Sequence, residues 1–384
     1  MKGWLSGPRV RGEQRREAEV DNNLACRQNG NTLEHCSVPK GDRCACTSLW
    51  ARSRPSGGSR TMPHGRAYRF EDPHQLQATL RAGSFDVFAN SRVGFDAELI
   101  RIDLDRLWMQ RCSSRHDWLL RTSNDPKRAP MTFLADPVQS PLHQNGTELP
   151  SDGIAVYCSG AFNNHWSHGP SGWASMSLTP EELAKAGQTM AGRELTVPRE
   201  TYIARPGAAL MTRIRRLHDK ACHLARTKPE ALSHAATAKA FEQELVHAMV
   251  GCLTAELPAV RNIRPLRHAR MVARFEEFLA AKKYEPVYIG EMCAGIGVSE
   301  RTLRTCCQEH LGMGPIHYLW LRRMHLARHA LHRAGPTTAS VTDIAMEYGF
   351  WELGRFSVKY RALFGELPSA TLRRPPDQVS DRTA

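Results

Sequence analysis

Near its C-terminal end the chain repeats a small pattern at a fixed offset of 52 residues: Cys293 and Gly297 recur as Ala345 and Gly349. The first copy lies in Tyr288–Leu303 (YIGEMCAGIGVSERTL), and the second opens at Val341 (VTDIAMEYGF). A small residue four positions before a glycine lets two short helices cross closely. The glycine supplies the positive φ of a sharp turn between them. Ser299 stands where the next helix needs an N-cap, its hydroxyl accepting from an exposed backbone N–H. Ile289, Met292, Ile296, Val298 and Leu303 supply a small core. That leaves Glu300, Arg301, Arg304, Thr305 and Gln308 on the outer face of the second helix. The pattern predicts a helix-turn-helix, whose second helix enters the major groove and offers its side chains to base edges. Two copies in register are far more specific than either alone.

The second copy has a longer turn. Its apolar anchor, Phe356, comes seven residues after Gly349, whereas Leu303 comes six after Gly297. Between the copies, Pro315–Arg333 reads as one helix of 19 residues opened by proline. At about 1.5 Å per residue it forms a rod of about 28 Å. Such a rod holds two groove-reading helices roughly one DNA turn, about 34 Å, apart. Charge agrees with this placement. Residues 264–384 carry 18 Lys and Arg against 12 Asp and Glu, whereas residues 61–263 are nearly balanced, 23 against 21. A basic C-terminal third suits a phosphate-binding surface.

The stretches GVSERTLR, LRRMHLARHAL, SVTDIAMEYGF and RFSVKYRALFGELPSATLRR resemble the AraC/XylS family of bacterial transcription regulators. The resemblance covers about residues 266–374. Gly349-Phe350, Phe356, Tyr360, Phe364-Gly365 and Pro368 are its most specific part. It implies a sequence-specific regulator of transcription, an activator responding to a small-molecule effector. It further implies a homodimer that acts on double-stranded DNA and RNA polymerase, cytoplasmic and nucleoid-associated. Arg301, Arg304 and Thr305 fall where the family's first recognition helix reads bases. In the second helix those positions fall on Leu353, Gly354, Ser357 and Val358, which are poorer in hydrogen-bonding groups. Arg355, Lys359 and Arg361 remain to hold phosphate, so the second unit is expected to position more than to specify.

The rest of the chain reads as an α+β arrangement. Residues 1–60, rich in Arg, Gly, Ser, Asn and Pro, are expected to form a disordered basic extension. Residues 61–257 are assigned to a regulatory and dimerisation domain. Within it, short apolar runs at 97–104, 107–112, 117–121, 131–134, 153–158 and 173–178 are separated by turn residues, which predicts a β sandwich or barrel. The family resemblance suggests a cupin-like barrel here. Asn163–His168 reads as an irregular loop with surface histidines, and Trp108, Trp118, Trp166 and Trp173 as barrel core. Helices are predicted from Thr179 and over 208–226 and 230–255. The stripe Phe241, Leu245, Ala248, Met249 and Cys252 is assigned to a dimer contact. A linker at 258–265, a DNA-binding domain at 266–375 and a tail at 376–384 complete the division.

Other functions lack their signatures. There is no P-loop, no G-x-S-x-G and no G-x-G-x-x-G after a strand, so no enzyme and no cofactor is expected. The 11 cysteines are odd in number and scattered, which fits free thiols in a reducing compartment. No secretory apolar run and no stretch approaching 18 apolar residues occurs, so no membrane association is expected. The competing reading is a DNA-repair sensor and methyl acceptor that joins cysteines between Cys26 and Cys46 to the same DNA-binding domain. His35, Cys36, Cys44 and Cys46 lack the paired spacing of a zinc site, and the Pro-Cys-His-Arg motif of a methyl acceptor is absent. No metal site is therefore assigned.

Overall fold

The computed structural model describes residues 63–90, 95–160, 162–255, 263–334 and 338–374. The extension at 1–60 with its cysteines, residues 258–262 of the expected linker and the tail at 376–384 lie outside the described residues.

The chain begins with β1 (His64–Phe70), α1 (Pro73–Thr79), β2 (Gly83–Ala89), β3 (Ala97–Asp103), β4 (Trp108–Ser114), β5 (Trp118–Asn124) and β6 (Ala129–Leu134). It continues through β7 (Leu142–Gln144), β8 (Thr147–Glu148), β9 (Ile154–Val156), β10 (Phe162–Ser167) and β11 (Ser171–Leu178). Then come α2 (Pro180–Ala191), β12 (Tyr202–Ala204), α3 (Ala208–Thr227), α4 (Pro229–Ser233) and α5 (Ala235–Thr254). The strands form two antiparallel sheets. One runs β1-β3-β4-β11-β6-β9-β12 and the other β2-β5-β10-β7-β8. They pack as a sandwich and do not close into a barrel.

Side chains of a strand alternate between its faces, and each sheet uses this to serve two cores. In the larger sheet Leu99, Cys112, Leu134 and Trp173 face the sandwich interior. Their neighbours Ile100, Ile102, Met109, Phe133, Ala174 and Met176 face α2, α3 and α5. Thr179 starts α2 with a full capping box, its hydroxyl accepting from Glu182 N–H at 3.2 Å. The stripe of α5 lies in this layer. Leu245, Ala248, Met249 and Cys252 are buried against the sheet and the neighbouring helices. The expected dimer contact is thus ordinary core.

The smaller sheet works the same way with a different partner. Val87, Leu120 and His165 stand in one register row and face inward, while Phe88, Leu119 and Trp166 stand in the next row and face outward. The outward row packs on the C-terminal helices α6 (Ile263–Ala281), α7 (Ile289–Ile296), α8 (Glu300–Leu311), α9 (Pro315–Arg333), α10 (Val341–Glu347), α11 (Leu353–Phe364) and α12 (Pro368–Arg373). Phe88 meets Tyr318 of α9 edge-on at 5.9 Å and His325 at 5.2 Å. Trp166 donates its indole N–H to the carbonyl of Glu309 at 3.0 Å. Ion pairs flank the seam. Arg121 reaches Glu276 of α6 at 2.9 Å, and Arg328 of α9 reaches Asp72 at 2.5 Å. The apolar core of the C-terminal third is therefore shared with the sandwich rather than self-contained.

Three expectations need correction here. Asn163–Ser167 is not loop but strand β10, and His165 is buried. Of the tryptophans, Trp118 and Trp173 are sandwich core, whereas Trp166 belongs to the seam. Helix α6 already includes residues 263–265 of the expected linker.

Candidate nucleic-acid interface

The first helix-turn-helix is built as its sequence requires. Gly297 closes α7 in the left-handed region at φ 74°, its N–H donating to Cys293 O at 2.9 Å. Ser299 accepts from Thr302 N–H at 3.2 Å and caps α8. Met292, Ile296, Leu303, Cys306 and Cys307 are fully buried. Cys293 is half-buried and packs against the domain core. Gly295 approaches α6 closely, where an added Cβ would meet the Phe278 ring at 2.5 Å. In the second unit Ala345 is fully buried. Gly349 turns at φ 80°, Phe350 N–H donates to Ala345 O at 2.9 Å, and Glu352 precedes α11. The second turn is longer, as the anchor spacing required. The linking helix α9 has the expected 19 residues.

On α8, Glu300, Arg301, Arg304 and Gln308 are exposed and Thr305 is half-buried. Arg304 pairs with Glu300 at 2.6 Å across one helical turn, both side chains about half exposed. A pair so open to water is worth well under 1 kcal/mol, so it orients the guanidinium without locking it. Thr305 donates its hydroxyl to Arg301 O at 3.0 Å. Gln308 donates to Gly312 O at 3.0 Å and so belongs to the end of its own helix. On α11, Arg355 pairs with Glu352 at 2.9 Å, Lys359 stands 5.6 Å from the Trp320 ring centroid, and Arg361 is exposed. Ser357 is half-buried, and Leu353 packs against the domain core. Trp351 and Val358, 64% and 71% exposed, add large apolar side chains to this face, and sequence reasoning did not single out the tryptophan.

A second candidate site lies between the sheets. Arg81, Gln110, Thr122, Asn124, Tyr157 and His165 line a narrow cleft of about 40 Å³. Burial pulls the His165 imidazole down to about 4, so it is neutral, and pushes the Tyr157 phenol well up. The Asn124 amide nitrogen is buried with no hydrogen-bond partner. Arg81 is already paired with Asp103 at 2.5 Å. Nothing in the spacing of these residues along the chain announces the cleft.

Two helix-turn-helix units joined by a rigid helix, each with a solvent-facing second helix, define a double-motif DNA-binding domain. A family described as a helix-turn-helix domain matches residues 292–374. Over 75 residues the chain is 43% identical to the XylDLEGF operon transcriptional activator 2 of Pseudomonas putida, covering 20% of this chain and 48% of that one. Over 100 residues it is 38% identical to the probable thc operon regulatory protein of Rhodococcus erythropolis, covering 26% of this chain and 30% of that one. The chain thus spans less than half the length of these curated relatives. Among solved structures, the AraC-like transcriptional activator CuxR is 13% identical, with 74% of this chain and 99% of that chain covered and a TM-score of 0.37. Residues 292–374 thus form a helix-turn-helix domain of the AraC/XylS type. No helix among the described residues is long and apolar enough to cross a membrane.

Proposed function

We propose that this protein is a transcription activator that reads double-stranded DNA chiefly with α8 and responds to a small polar effector held between its sheets. The observation that carries the reading is the segregation along α8. Leu303, Cys306 and Cys307 are fully buried, while Glu300 and Arg301, and Arg304 one turn on, face solvent. Arg301 and Arg304 offer the bidentate donors that match guanine O6 and N7. On α11, Arg355, Lys359 and Arg361 supply cations for phosphate, and Ser357 is the sole small polar group on that face suited to a base edge. The cleft supports the effector role, because it offers several hydrogen-bonding groups and an unpartnered buried amide. RNA polymerase contact, self-association and action at the nucleoid in the cytoplasm are part of the same proposal.

The test is selection of binding sites from randomised duplexes by the full-length protein, with and without candidate polar effectors. A site with two conserved blocks about one DNA turn apart is the expected result. Binding at low salt with no enriched sequence would replace the reading with that of a sequence-independent DNA binder.

A further inference from the structure

Where α6 meets the C-terminal end of α8, three side chains converge that no function described above uses. His268, Glu309 and His310 each bring one ligand atom, and these atoms lie within 4.8 Å of one another. His268 Nδ1 stands 2.5 Å from Glu309 Oε2, with the two side chains 14% and 34% exposed. A shielded surface ion pair would account for those two residues. It would not account for His310, which is 1% exposed and whose Nε2 has no hydrogen-bond partner. Buried polar nitrogens ordinarily find a partner.

The sandwich comes close to that nitrogen without a side chain between them. Strands β7 and β8 are joined by Asn145-Gly146, both at positive φ, and a Cβ at Gly146 would come 2.8 Å from His310 Nε2. Glycine is thus required there twice, by the turn and by the imidazole.

We infer that His268, Glu309 and His310 bind a divalent transition-metal ion of the zinc type. Two imidazole nitrogens and one carboxylate oxygen are the donor set such ions favour, with water completing a tetrahedron. Calcium and magnesium demand six or more oxygens and do not fit this donor set. The ion ties α6 to α8 beside the indole N–H of Trp166 and the ring of His168, which face the carbonyls of Glu309 and Gly312 at 3.0 and 3.3 Å. Occupancy therefore bears on how the recognition helix is held against the sheet.

The experiment is titration of metal-stripped, full-length protein with Co2+, followed by displacement with Zn2+. The expected result is a Co2+ species with visible ligand-field bands and no thiolate charge-transfer band in the near ultraviolet. His268→Ala and Glu309→Gln should each weaken this species at least tenfold with far-ultraviolet circular dichroism unchanged. Glu309→Gln keeps both size and the backbone carbonyl that Trp166 uses, so it carries the test should His268→Ala fail to fold. Folded wild-type protein that takes up neither ion at micromolar concentration would overturn the inference. So would a Co2+ spectrum dominated by thiolate charge transfer, which would move the site to the N-terminal cysteines. Uptake unchanged in both variants would overturn it as well.

Discussion

Replacing Asp72 by Asn tests whether the sandwich and the DNA-binding helices fold as one unit. Asp72 caps α1, accepting from His74 N–H at 2.9 Å, and also receives the guanidinium of Arg328 at 2.5 Å. The two side chains are 6% and 5% exposed. Burial alone would raise the Asp72 pKa. The hydrogen bond from His332, the charge of Arg328 and the N–H of His74 outweigh it and hold the carboxyl well below the usual carboxylate range. Breaking a buried pair from one side leaves a stranded charge and costs about 3–5 kcal/mol. Here Glu366, 3.3 Å from Arg328, stays as a second partner, and Asn still caps His74. The loss for Asp72→Asn should therefore sit near 3 kcal/mol, and Asp72→Ala should lose about 1 kcal/mol more with the cap. Asp72→Asn combined with Arg328→Met should recover much of the loss, because with both charges of the pair gone no stranded charge remains, Glu366 keeping Arg374 at 2.7 Å. Equilibrium urea unfolding of wild type, Asp72→Asn, Arg328→Met and the double variant measures this cycle. If both single variants cost under 1 kcal/mol and the double variant is additive, the pair does not couple the two halves, and the reasoning fails.

Three further outcomes are expected. Arg304→Ala should cost about 1–3 kcal/mol on the selected site, concentrated at one or two base pairs. Lys359→Ala should instead weaken all sequences alike and lower the salt slope by about one unit; identical sequence preferences in wild type and Arg304→Ala would remove the base-reading role. Leu245→Glu should unfold the regulatory half rather than dissociate a dimer, because Leu245 is fully buried beneath the larger sheet. A folded, monomeric variant by circular dichroism and sedimentation would restore the dimer contact. Finally, burial pulls His310, His325 and His329 from 6.5 down to about 4. Their neutral forms fit the fold and the unfolded chain takes up the protons. Stability should thus be full above about pH 6.5 and fall as pH drops toward about 4. Urea midpoints that do not change between pH 7 and pH 5 would contradict this, and His325→Phe should flatten the decline.

The parts legible in the sequence are those whose chemistry is local. A turn glycine, a capping serine and an anchor leucine lie within seven residues at Gly297–Leu303, and the capping box at Thr179 lies within four. Strand β10 was hidden for the opposite reason. Its Asn163, His165 and Ser167 on one face and Asn164 on the other are all buried but polar, so no apolar alternation marks the strand. The β7–β8 hairpin did leave a signal, Asn145-Gly146, the dipeptide that both positive-φ positions of such a turn prefer. Phe88 and Leu119 look like any strand residue. Which of two cores they serve depends on a helix more than 190 residues further along the chain, and no local pattern encodes that. His268 and Glu309 meet only because α6 crosses α8, so their separation of 41 residues carries no motif.

Strand β10 gives the seam a further property. His165 looks into the cleft and Trp166, one residue on, grips the carbonyl end of the recognition helix. The proposed effector cleft and the proposed reading helix are thus separated by the thickness of a single strand, with a rigid peptide plane between them. A shift of β10 by a fraction of an ångström on its inner face is delivered to α8 without any intervening loop to absorb it. The same arrangement makes the strand intolerant of length change. One residue inserted or deleted exchanges the two faces, turning the imidazole toward the helix and the indole into the cleft. Substitutions in β10 can tune the coupling, whereas a single-residue insertion or deletion there abolishes both halves of it at once.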